Sequence, residues 1–244
     1  MSVASNAAAP SGSRPTAVAV HKDESPQHRR DVARLGMWVF LASELLFFGG
    51  LLVAYFYGRL HWPAGFAAAS RHTDVLLGTV NTALLLTSSA FAAVAVAACE
   101  TQRWRWVRRC LMATAALGLA FLAIKGFEWH AEWTEGLFPG PGFRLGADVA
   151  PPQGAELFFM LYFVMTGLHA LHMLIGVGVV GVMAHRALHP PAVEGEVDPD
   201  DADEVTSAET GAELRIEMTA LYWHFVDIVW VVLYPLLYLV ERHS

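Results

Sequence analysis

The chain has 244 residues, 55% of them hydrophobic and only 16% charged, with a formal net charge of −7. That composition fits an integral membrane protein with modest loops. No basic stripe runs along it, which excludes nucleic-acid binding, and two cysteines alone, Cys99 and Cys110, supply no metal framework.

Residues 1–33 are polar and rich in Ala, Ser and Pro. They lack the apolar segment of a secretory signal, so they are expected to form a disordered tail. Five apolar runs follow, each near the roughly 20 residues that cross a bilayer. They predict an all-α bundle with spans at about 35–57, 74–98, 107–127, 155–184 and 218–240, in one domain over 34–244. The connection 128–154 contains Pro139, Gly140, Pro141 and Gly142 and is expected to turn repeatedly. The stretch 190–213 is acidic and contains Pro190, Pro191 and Pro199, and reads as a solvated loop. Small residues such as Ala83, Ser88, Ala92, Ala115 and Gly118 in the second and third spans allow close helix approach.

Arginines set the expected orientation. Arg29, Arg30 and Arg34 precede the first span, and Arg103, Arg105, Arg108 and Arg109 lie between the second and third. Both groups fall on one side, which the positive-inside rule makes cytoplasmic. The N-terminus and the acidic segment are then expected in the cytoplasm and the C-terminus outside.

Polar groups at membrane depth mark the candidate sites. A charge at the centre of a spanning helix costs about 2.5–3.5 kcal/mol on insertion scales. Glu44, in the first span, is therefore expected to be neutral, paired, or facing water or headgroups. Asp227 lies at a similar depth in the fifth span and could share a cavity with it. Lys125 and Glu128 are three residues apart on one helix face and read as an ion pair, with Glu132 one turn further. His169 and His172 share the fourth span, and His224 precedes Asp227 in the fifth. Imidazoles at that depth serve either as ligands to haem or metal or as hydrogen-bonded helix residues.

Five stretches, taken in order, resemble subunit III of the haem-copper cytochrome oxidases. They are GMWVFLASELLFFGG at 36–50, NTALLLTSS at 81–89, KGFEWH at 125–130, FFMLYFVMTGLHALHMLIG at 158–176 and YWHFVDIVWVVLYPLLYL at 222–239. The resemblance implies the five-helix bacterial form, in the bacterial cytoplasmic (inner) membrane. It implies no haem, copper or other metal in this chain, those centres belonging to partner subunits. The main contact would be oxidase subunit I, with subunit II, other oxidase subunits and a respiratory supercomplex as further partners.

The resemblance also implies bound phospholipid, with Glu44 as the family's buried acid near a lipid cleft and Arg186 as a headgroup contact. Arg34, Trp38 and Phe48 join this lipid-binding set, with Leu41 and Leu45 on the same helical stripe. The buried polar set is Glu44, Lys125, Glu128, His169, His172, His224 and Asp227. Within the family, a quinol oxidase subunit III or the accessory subunit of nitric oxide reductase stays open. Outside it, a stand-alone membrane metalloenzyme would use His130, His169, His172 and His224. A transporter would want paired breaks in its helices, and only Pro235 interrupts a span.

Overall fold

The computed structural model describes residues 26–145, 153–188 and 202–239. In chain order the elements are α1 (Pro26–His61), α2 (Pro63–Ser70), α3 (Val75–Glu100), α4 (Trp104–Thr134), α5 (Ala155–Arg186) and α6 (Ala202–Tyr234). A π-helical turn, Pro235–Leu239, continues α6. No strand occurs among the described residues. Five of the helices are long and apolar enough to span a membrane; α2 is a short connector.

Several boundaries differ from the sequence reading; α4 continues to Thr134, seven residues past the expected end of its span and into the connection expected at 128–154. Helix α1 starts at Pro26 rather than after residue 33. Proline suits a first helical turn, where its missing N–H has no intrahelical partner to lose. Helix α6 starts at Ala202 rather than 218, so Ala202–Glu213 is helix rather than loop. That segment lies beyond Pro199, and no proline interrupts it. The rest of the acidic stretch, 190–201, and the tail residues 1–25 lie outside the described residues.

Local chemistry explains the other ends. Pro63 opens α2. Asp74 caps α3, its Oδ1 accepting from the backbone N–H of Leu76 at 2.8 Å and of Leu77 at 3.2 Å. At Pro235 the missing N–H ends the regular ladder of α6. The terminal carbonyls find side-chain donors, Tyr55 Oη donating to the Leu236 carbonyl at 2.5 Å and Thr73 Oγ1 to the Leu237 carbonyl at 3.4 Å.

The core lies among α3, α4, α5 and α6, with Leu85, Phe121, Tyr162 and Trp230 fully buried. Trp223 of α6 fits here only because glycines face it. A Cβ on Gly118 would stand 2.6 Å from its ring, and one on Gly176 would stand 3.2 Å away. The Trp223 indole N–H donates to Ser88 Oγ at 3.0 Å. Helix α1 is peripheral. Only 17% of its apolar stretch is buried, against 33–50% for the other four.

Candidate functional site

At one end of the bundle α4, α5 and α6 enclose a buried ionic cluster. Lys125 Nζ donates to Glu128 Oε2 at 3.0 Å and to Tyr162 Oη at 2.8 Å; Tyr238 Oη is its third partner. Tyr238 donates in turn to Glu128 Oε1 at 2.7 Å, and Tyr162 lies 3.1 Å from the same oxygen. The ammonium also sits near three ring faces, at 4.7 Å from Tyr162, 5.1 Å from Tyr238 and 5.5 Å from Trp230. The i,i+3 spacing announced the pair. The two tyrosines were not anticipated, although a phenol inside a membrane span needs a partner and so carries a signal. Glu132 is also buried, and neither of its oxygens has a hydrogen-bond partner among the described residues.

Glu44 joins α1 to α5. Its Oε2 lies 3.1 Å from His172 Nε2, and His172 Nδ1 lies 2.8 Å from the Leu168 carbonyl one turn back. Tyr222 Oη of α6 donates to the His172 carbonyl at 3.1 Å, so three helices meet at this point. Asp227 does not share the arrangement. It is buried beside Ser89 and His224, and Ser89 Oγ lies 2.5 Å from His224 Nδ1.

The imidazoles are therefore dispersed. His172 is held by Glu44 and Leu168, and His224 by Ser89. His169 departs from the hydrogen-bonded role expected of it. Its ring is buried 5.5 Å from Phe121 and 5.2 Å from Trp230, with no hydrogen-bond partner for either nitrogen among the described residues. Burial between aromatic rings replaces that partner. His130 is exposed. Among the described residues no group of three or more His, Cys, Asp or Glu converges as a metal site would require.

Between α1 and α6 an apolar groove of about 440 Å³ opens, lined by Trp38, Leu41, Leu45 and Phe48 on one side and by Phe225 and Val229 on the other. A second hollow of about 480 Å³ has Arg34 and Glu217 in its lining, with Ala93 and Val96 from α3, and Trp38, Leu221 and His224 common to both. The two hollows adjoin, one apolar and the other carrying Arg34 and Glu217. Arg34 Nη2 meets both oxygens of Glu217 at 2.9 and 3.0 Å. One turn away Arg30 meets Glu213 at 3.2 Å. Sequence reasoning missed both pairs, because the extension of α6 that supplies Glu213 and Glu217 was read as loop or loop edge. Arg186 is exposed at the end of α5 and does not line the groove.

No family model matches the chain. Individual relatives do. Over 234 residues it is 32% identical to a cytochrome c oxidase subunit 3 of Thermostichus vulcanus, a match covering 94% of this chain and 96% of that protein. Over 222 residues it is 31% identical to a heme-copper oxidase subunit I+III of Aeropyrum pernix, covering 86% of this chain and 23% of that longer protein. It is also 28% identical over 220 residues to a cytochrome c oxidase subunit 3 of Corynebacterium diphtheriae, covering 88% of this chain and 91% of the relative.

Proposed function

The chain belongs to the cytochrome c oxidase subunit 3 family, and from that membership we infer that it serves as subunit III of a haem-copper oxidase, an accessory chain of the cytochrome-c oxidase complex in aerobic respiration. The observation that carries this reading is the 32% identity extending over nearly the whole of both chains. As a multi-pass membrane protein of this family it associates with subunit I, and one relative's name joins subunits I and III in a single chain. Oxygen reduction and proton pumping belong to the complex; haem and copper reside in the partner subunits. Subunit II, further oxidase subunits and a respiratory supercomplex complete the proposed surroundings.

Within that complex this chain is a scaffold and lipid holder. The adjoining hollows beside α1 offer the parts of a phospholipid site, a charged pair and an apolar wall. The proposed contacts are Arg34 from that pair, Trp38 from both hollows and Phe48 from the wall, with Glu44 fastening α1 beside it. Arg186 supports a separate headgroup contact at the end of α5. The proposed membrane is the bacterial cytoplasmic one, with the N-terminal tail inside and the C-terminus in the periplasm. The Arg30–Glu213 and Gln102–Glu213 contacts support this by gathering the start of α1, the α3–α4 turn and α6 at one end of the bundle. Both arginine-bearing segments thus face the same side.

Affinity purification of the tagged chain from native membranes tests the assignment. A haem- and copper-containing partner that consumes oxygen should accompany it. Recovery of the chain as a stable solitary monomer would end the reading. The same experiment meets the metalloenzyme alternative, which requires a chromophore or bound metal in the chain isolated from its partners.

A further inference from the structure

The end of α6 does more than terminate a helix. Pro235 brings no N–H to the ladder, and the chain runs on as the π-helical turn Pro235–Leu239. Leu237 and Tyr238 in that turn are both fully buried. Tyr238 reaches back along the bundle. Residues eight apart in a regular helix are separated by about 12 Å along its axis, yet the Tyr238 ring stands 6.2 Å from that of Trp230. There it closes over the buried ion pair. Its Oη is a partner of Lys125 Nζ and donates to Glu128 Oε1 at 2.7 Å, and its ring lies 5.1 Å from the ammonium.

Two other helices are shaped to receive the turn. On α3, Gly78 leaves the space, since a Cβ there would stand 2.9 Å from the Tyr234 ring and 3.0 Å from the Tyr238 ring. On α1, Tyr55 fastens the turn by donating to the Leu236 carbonyl at 2.5 Å. Five residues of chain are thus held from several sides by side chains, while the long helices behind them are held by packing over their whole length.

We propose that Pro235–Leu239 is a strap that closes the Lys125–Glu128 site at this end of the bundle, and that water reaches Lys125 by undocking of the strap rather than by parting of the long helices. Local opening takes the segment held by the fewest contacts. Here that segment is a single turn secured by a few hydrogen bonds and one buried ring. Closed, it supplies Lys125 with a hydrogen-bond partner and a ring face. Open, it withdraws both and leaves the ammonium facing solvent. The inference rests on packing and not on the family assignment, so its failure would leave that assignment standing.

The sequence supplies the readout. It contains two lysines, Lys22 and Lys125. The intact complex is treated with a water-soluble N-hydroxysuccinimide ester, which acylates amines, and both sites are quantified by peptide mass spectrometry, Lys22 serving as the reference for reagent dose. In the unaltered complex Lys125 should react at least a hundredfold more slowly than in the unfolded chain. Tyr55→Phe keeps the ring and removes one fastening hydrogen bond, and should raise the Lys125 rate roughly three- to tenfold, the factor that one net hydrogen bond gives. Gly78→Val wedges Tyr234 and Tyr238 away from α3 and should raise it further. Arg30→Ala, at the opposite end of the bundle, should leave it unchanged.

Rapid acylation of Lys125 in the unaltered complex overturns the strap, as does an unchanged rate in Tyr55→Phe. An equal rise in Arg30→Ala also overturns it, because opening would then belong to the whole bundle. Tyr55→Phe decides the matter if Gly78→Val does not assemble.

Discussion

Glu44 of α1 and His172 of α5 meet side chain to side chain, Oε2 to Nε2 at 3.1 Å. The Leu168 carbonyl only accepts, so His172 Nδ1 must carry a hydrogen for the 2.8 Å contact. His172 Nε2 and Glu44 Oε2, 3.1 Å apart, then need a single further proton to bond. Whether that proton rests on nitrogen or oxygen, the pair joins α1 to α5. Glu44→Gln supplies an N–H toward Nε2 and keeps a neutral hydrogen bond. We expect an assembled Glu44→Gln complex to retain substantial oxygen reduction. Glu44→Ala strands the imidazole and should destabilise the docking of α1 by about 1–3 kcal/mol. Hydrogen exchange along α1 reads the difference; complete loss of turnover in an assembled Glu44→Gln complex would give Glu44 a chemical role instead.

The Lys125–Glu128 pair should behave as a buried unit. Both side chains are within a few per cent of full burial, so Lys125→Met leaves an uncompensated carboxylate at a cost of about 3–5 kcal/mol. The double variant Lys125→Met/Glu128→Leu removes both charges and should regain much of the loss. Thermal unfolding of the complex in detergent checks this. Additive losses in the double variant would show that the two residues act separately.

At Gly118 the expected effect is steric. An added Cβ would stand 2.6 Å from the Trp223 ring and 2.9 Å from a Val177 methyl. Gly118→Ala should cost about 1–3 kcal/mol, as overpacking does, and Gly118→Val should reduce the amount of chain recovered with subunit I. Normal yield and unfolding temperature for Gly118→Val would mean that α4 and α6 can part without penalty.

By contrast the ion pairs beside the groove should matter little for overall stability. Exposed pairs are worth about 0–1 kcal/mol, and the Arg34–Glu217 side chains are nearly half exposed. Arg34→Ala should leave the unfolding temperature almost unchanged while raising hydrogen exchange in the first turns of α1. A large fall in stability would show that these charges are buried against a neighbouring chain in the complex.

The histidines give a spectroscopic expectation. His169, His172 and His224 each have their own surroundings and do not converge. Replacing His169 by Gln or His172 by Asn should leave the haem absorbance of the assembled complex unchanged. Loss of a haem band in either assembled variant would make that residue a ligand.

Five spans, the Lys125–Glu128 pair and the stripe Trp38–Leu41–Leu45–Phe48 were legible in the sequence because they depend on local spacing. Apolar length decides whether a helix can cross a bilayer, and the helical period decides which side chains share a face. The family motifs were legible for a different reason: they are runs of particular residues in a particular order. Spacing along one helix does not say what stands across from it. That Glu44 meets His172 rather than Asp227, that Tyr162 and Tyr238 enclose Lys125, and that Glu217 neutralises Arg34 were decided by how α1, α5 and α6 pack. The start of α6 was misjudged because a charged, polar stretch reads as loop by composition. Good helix formers beyond Pro199, and partners for Glu213 and Glu217 on α1, allow that stretch to continue the helix.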